Sequence, residues 1–144
     1  MTHLNAHCLC GAVRARLELP TLFGVHCHCR WCRRAHGAAY VTWTGVPEER
    51  FELVSGETSV TWYASSRWSR RGFCPTCGTT LFFQTTAAPG EIHVAAACLE
   101  GELDREIGAH VFFEQHLPWV SVDEHLPRLE GDDPALAAYA EVGK

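Results

Sequence analysis

The sequence holds almost no lysine: of its 12 basic residues, all but Lys144 are arginine. It also holds no apolar run approaching the roughly 20 residues that a membrane-spanning helix needs, so no such helix is expected. The first residues, Met1 to His7, carry neither a basic region nor an apolar signal core, and a cytoplasmic location is the expectation. Repeats, low-complexity tracts and internal linkers are missing too, and residues 1–144 are read as one domain. A formal net charge of −5 disfavours nucleic acid as a partner. The charge is uneven, however. Arg30, Arg33, Arg34, Arg67, Arg70 and Arg71 gather near cysteines, whereas residues 99–144 are acidic. Arginine suits bidentate carboxylate binding better than lysine does.

What the chain does have is cysteine, eight in all, seven of them in clusters. In a reducing compartment such clusters favour metal over disulfides, although an even number leaves the disulfide reading open. Cys74-Pro75-Thr76-Cys77-Gly78 is a knuckle in which two intervening residues turn both sulfurs toward one point, and Gly78 can take the positive φ that follows. Cys8-Leu9-Cys10-Gly11 is a tighter version. Neither pair fills a tetrahedral shell alone; together they make a closed four-thiolate site that staples distant parts of the chain.

Cys27-His28-Cys29-Arg30-Trp31-Cys32 is different. Three thiolates on one short loop can ligate one Zn²⁺ and leave a position open. His26, His28, His36 and Cys98 are alternative fourth ligands that would close it. A zinc ion with three thiolates keeps a net negative charge, so it is a weak Lewis acid but a good holder of a further soft thiolate. The expected chemistry therefore involves a thiol, with neighbouring arginines, Arg33 and Arg71 foremost, holding a carboxylate-bearing carrier. Three uses compete. One is a zinc-dependent lyase acting on a small-molecule thiol and aldehyde. The second is a non-catalytic zinc-stapled β-domain that binds a ligand or protein partner. A nucleic-acid role for the arginines around Trp31 is the weakest.

Short alternating segments predict a mainly β fold. Ala12 to Leu19 alternates and ends at Pro20. Further strands are expected at Ala39 to Trp43, Trp68 to Phe73, Thr80 to Gln84, Ile92 to Ala97 and Ala109 to Phe113. Phe51 to Val54 and Val60 to Tyr63 flank Ser55-Gly56-Glu57 as a hairpin. Arg30 to His36 reads as one or two helical turns stopped by Gly37. Asp133 and Pro134 predict a terminal helix over Ala135 to Glu141.

Three stretches together carry a family resemblance: Cys8-x-Cys10-Gly11, Cys27-His28-Cys29-x-x-Cys32-Arg33, and Arg71-Gly72-Phe73-Cys74-x-x-Cys77-Gly78-Thr79-x-Leu81. With Ala109 to Phe112, Pro118-Trp119 and Leu126-Pro127-Arg128, the chain resembles the glutathione-dependent formaldehyde-activating enzymes from Cys8 to about Glu130. The resemblance implies several coiled antiparallel β-sheets, a β-tent of zinc-ribbon-like character. It implies a structural zinc at Cys8, Cys10, Cys74 and Cys77, and a second, catalytic one at Cys27, Cys29 and Cys32. The implied activity is that of a carbon–sulfur lyase joining glutathione and formaldehyde as S-(hydroxymethyl)glutathione. His36 and Cys98 stand where small residues are more usual in that family.

Overall fold

The computed structural model describes residues 2–122 and 125–141; Met1 and Lys144, the ends of the expected domain, lie outside them. The fold is mainly β, in two sheets with a few short helices, and closes no barrel. A small sheet joins β1 (His3–His7), β2 (Arg14–Glu18) and β5 (Phe51–Glu52) in the order β1-β2-β5. A larger sheet contains β3 (Gly24–Cys27), β4 (Val41–Pro47), β6 (Thr61–Ala64), β7 (Ser69–Phe73), β8 (Thr80–Thr85), β9 (Glu91–Ala95) and β10 (Ala109–Val111). Its order is β10-β3-β4-β9-β8-β7-β6, antiparallel except for the β10–β3 pair.

Alternation explains the small sheet. Val13, Ala15 and Leu17 are buried while Arg14, Arg16 and Glu18 face solvent. β1 was not anticipated, because His3–His7 offers only Leu4 and Ala6 as inward residues. Pairing supplies the rest: Leu4 lies opposite Leu17 and Ala6 opposite Ala15.

The central strands of the large sheet are apolar on both faces, so the sheet carries two cores. Phe82 on β8 joins the core shared with the small sheet, and its ring meets that of Phe51 at 5.3 Å. Phe83, the next residue, turns to the opposite face with Trp43, Val111 and Leu136. The second core contains Cys27, Cys29 and Cys32.

Two expectations need correction. Phe51–Glu52 and Thr61–Ala64 do not pair as a hairpin: β5 pairs with β2 in the small sheet and β6 with β7 in the large one. The segment between them turns away through Gly56, at φ 88°, and a single 3-10 turn, because Phe51 and Trp62 belong to different sheets. The terminal helix is a 3-10 segment, Pro134–Tyr139, not an α-helix. Asp133 caps it, accepting from the Ala135 N–H at 2.9 Å, but Leu136 is its one buried residue. Leu136 and Tyr139 are its only core contacts, too short an apolar stripe to sustain further α-helical turns.

Candidate metal centres

Each cysteine knuckle sits at a hairpin turn. Cys8 and Cys10 lie between β1 and β2; Cys74 and Cys77 lie between β7 and β8. Gly11 and Gly78 both take φ 80°, a conformation that favours glycine, and their N–H groups close the turns on the Cys8 and Cys74 carbonyls. The turns face each other. All four sulfurs lie within 4.8 Å of one another, with Cys8 to Cys10 at 3.6 Å and Cys10 to Cys74 at 3.8 Å. Four thiolates around a tetrahedral zinc at about 2.3 Å stand about 3.8 Å apart, so the donor set fits that ion. The Val13 N–H points at Cys8 Sγ and the Cys77 N–H at Cys74 Sγ, at 3.3 and 3.4 Å, as donors to thiolate acceptors do. Thr79 Oγ1 lies 3.2 Å from Cys77 Sγ and accepts from the Leu9 N–H, tying one knuckle to the other. The Thr79 side chain, then its backbone N–H, hold the Cys77 thiol down at about 5.

The second cluster is built by the junction of β3 with helix α1 (Arg30–His36). Cys27 ends the strand, Cys29 is the N-cap, and Cys32 lies in the first helical turn, its N–H donating to Cys29 Sγ at 3.3 Å. The cap bends the chain so that all three sulfurs fall within 4.8 Å of one another, buried. No other histidine, cysteine or carboxylate among the described residues joins that group. His26 is bonded to Thr42, and His28 Nε2 to His110 Nδ1, each at 2.8 Å. The His36 ring packs edge-on against Trp43. Cys98 is half-buried between the two cores. None of the eight cysteines is disulfide-bonded in this structure.

Cys32 Sγ accepts from Trp43 Nε1 at 3.4 Å and Arg71 Nη1 at 3.6 Å. Hydrogen bonds from the Cys27 and Cys29 thiols outweigh burial and, with Arg71 and Trp43, hold Cys32 well below the usual thiol range. Hydrogen bonding to Cys29 and Cys32, together with burial, pushes Cys27 well above it. Trp43 in this role and the Leu136 wall described below were not foreseen. The sole signal for Trp43 was a bulky aromatic on the strand after the trio.

The trio opens on a cavity of about 230 Å³ walled largely by apolar side chains, among them Phe23, Trp43, Phe83, Phe112 and Leu136. Its ionisable lining beyond the thiols is Arg71, His93 and Tyr139. Arg71 is 94 % buried (6 % exposed), stacks over Phe83 at 4.7 Å, and keeps its Nε unpartnered. Arg71 and Trp31 also line a second groove with Arg30, Arg34, Tyr63 and Thr80. Arg33 lines neither; its Nε donates to the His28 carbonyl at 3.1 Å and braces the trio's loop.

His36 has a pKa lowered to about 4, chiefly by burial; Cys32 works against that shift and Arg71 adds to it. The folded state thus keeps it neutral where the unfolded chain, near 6.5, takes up a proton. Its contribution to stability is whole above pH 6.5 and falls as pH drops from 6.5 toward 4. His36→Phe is expected to flatten the dependence of the urea midpoint on pH across that window. An unchanged slope would contradict the assignment.

A small and a large sheet whose turns bring four thiols together, with a three-thiol cluster beside an apolar cavity, define a protein with two cysteine clusters that could each hold a metal ion. The sequence pattern of the glutathione-dependent formaldehyde-activating enzymes matches residues 3–115, and the chain belongs to that family. An uncharacterized lyase of Schizosaccharomyces pombe is 33% identical over 108 residues, 70% of this chain and 72% of its own. A Halomonas elongata protein, provisionally named a glutathione-dependent formaldehyde-activating enzyme, is 25% identical over 127 residues, 83% of this chain and 81% of its own. A crystal structure of a Rhodobacter sphaeroides protein superposes with a TM-score of 0.59 at 30% identity, covering 72% of this chain and 96% of that one. No helix among the described residues is long and apolar enough to cross a membrane.

Proposed function

We propose that the chain is a zinc-dependent carbon–sulfur lyase of the reducing cytoplasm, joining a small thiol to an aldehyde and releasing them again. The thiol sulfur bonds to the carbonyl carbon and its proton passes to the oxygen, so nothing is oxidised or reduced. The observation that carries the reading is that three buried sulfurs and a buried arginine meet on one cavity. Zinc held by Cys27, Cys29 and Cys32 would supply a fourth position suited to a thiolate. A second zinc, at Cys8, Cys10, Cys74 and Cys77, would be structural.

The chain's own residues do the rest. Arg71 places a permanent cation beside the anionic trio. The apolar walls exclude water, which strengthens that interaction. His93 is the histidine on the cavity wall. Its Nε2 is held by Glu91 at 2.8 Å, leaving Nδ1 to accept or return the proton. Glutathione, with its two carboxylates, is the carrier that the arginines suit, reaching Arg71 from the groove it shares with Arg30 and Arg34.

Calorimetric titration of the zinc-loaded protein with glutathione tests the carrier. Arg71→Ala should weaken binding about tenfold or more, the cost of a charged hydrogen bond lost from a buried site. Exchange spectroscopy of glutathione with formaldehyde tests the reaction. Binding without any acceleration over the uncatalysed exchange would leave the non-catalytic ligand-binding domain as the better reading.

A further inference from the structure

We infer that the cavity is a specificity chamber for an apolar substituent on the aldehyde, a ring or a medium alkyl chain, rather than for formaldehyde alone. The inference rests on the thiol–aldehyde reading and adds the substrate class.

Volume is the first argument. The chamber holds about 230 Å³. Formaldehyde, with two heavy atoms, needs little more than the ~30 Å³ share of a water or two, whereas a dry cavity of about 150 Å³ admits benzene. A site built for one carbon would leave most of this space without contacts. Polarity is the second. The walls contributed by Phe23, Val25, Trp43, Val111, Phe112 and Leu136 offer no charge, and Arg71 is the chamber's one guanidinium. The zwitterionic body of glutathione would lose its hydration there without compensation. It belongs in the arginine-lined groove beyond Arg71 and Trp31, which border both spaces. With the sulfur at the trio, what remains for the chamber is the aldehyde's substituent.

The third argument is where the walls come from. Leu136 and Tyr139 close the chamber from the capped 3-10 segment, outside the residues 3–115 that match the family pattern. Phe112 takes a left-handed backbone, φ 53°, uncommon for an aromatic residue, at a position that lines the chamber. Leu136 and Tyr139 thus lie outside the matched residues, whereas Phe112 lies within them.

The reaction is balanced as before: the thiol adds across the C=O of R–CHO, the S–C bond forms, the proton ends on oxygen, and R occupies the chamber. S-benzylglutathione and S-methylglutathione are inert mimics of the two adduct classes. Titrated calorimetrically into the zinc-loaded full chain, the benzyl compound should bind about tenfold or more tightly, from the apolar area it buries. Leu136→Trp, which fills the chamber, should abolish that advantage, bringing the benzyl and methyl compounds to within about twofold of each other. Should this variant melt well below the parent, Leu136→Phe takes its place. Equal affinities, or a benzyl advantage that survives the filled chamber, would overturn the inference while leaving the lyase reading intact. If neither compound binds, glutathione fails as carrier, and benzyl alcohol then reads the chamber directly. Its binding, lost in the filled variant, supports the apolar chamber, and no binding overturns it.

Discussion

Replacing Cys77 by serine is expected to unfold the protein under conditions where Cys29→Ser leaves it folded. Cys77 belongs to the four sulfurs that join the β1–β2 turn to the β7–β8 turn, and so one sheet to the other. A structural zinc contributes folding free energy directly, on the order of 10 kcal/mol in small zinc peptides. That is comparable with the whole stability of a domain, about 5–15 kcal/mol. Cys29 is the N-cap of α1, a position where serine is itself a favoured residue, so the fold should lose about 1 kcal/mol or less there. Circular dichroism melts of both variants, with zinc present, measure the difference. Equal losses would refute the division into a structural and a working centre.

Cys32→Ser is expected to lower catalysed thiol–aldehyde exchange on the order of a thousandfold, because metal assistance is worth several kcal/mol at about 1.4 kcal/mol per tenfold in rate. Cys32 is the sulfur on which Trp43 Nε1 and Arg71 Nη1 converge, and so the one on which the trio's charge is best supported. A serine oxygen can still accept from both, so the local fold should persist while the thiolate donor is gone. Native mass spectrometry should find two zinc ions in the parent and one in the variant, and exchange spectroscopy should find the rate near the uncatalysed one. A variant that kept more than a tenth of the parent rate would remove Cys32 from the reaction. In the parent, the trio's metal should leave first with a mild chelator, having fewer protein ligands than the knuckle site.

The two centres differ in how far they could be read from residues alone. A Cys-x-x-Cys-Gly turn and a Cys-x-Cys-Gly turn are complete local instructions: spacing aims the sulfurs and glycine permits the backbone. The same holds for Cys27, Cys29 and Cys32, which a strand end and one helical turn suffice to gather. Arg71 was legible as an arginine serving the trio, but its direct contact with Cys32 Sγ at 3.6 Å was not, since 39 residues separate the two. Arg33 adjoins Cys32 in sequence yet points its Nε at the His28 carbonyl. On a helix, neighbouring residues diverge by about 100°, so adjacency in sequence is not adjacency at a site.

By itself the sequence determined the geometry within each cysteine turn, the alternating β2 strand, helix α1 with its Gly37 stop, and the mainly β class. Each follows from contacts within a few residues. Tertiary structure alone decided that β5 and β6 part into different sheets, that β1 pairs with β2, and that Leu136 reaches back to wall the chamber beside the trio. Those outcomes depend on which apolar faces find one another across long stretches of chain. Burial is non-directional, and only the assembled sheets select among the pairings that the local pattern permits.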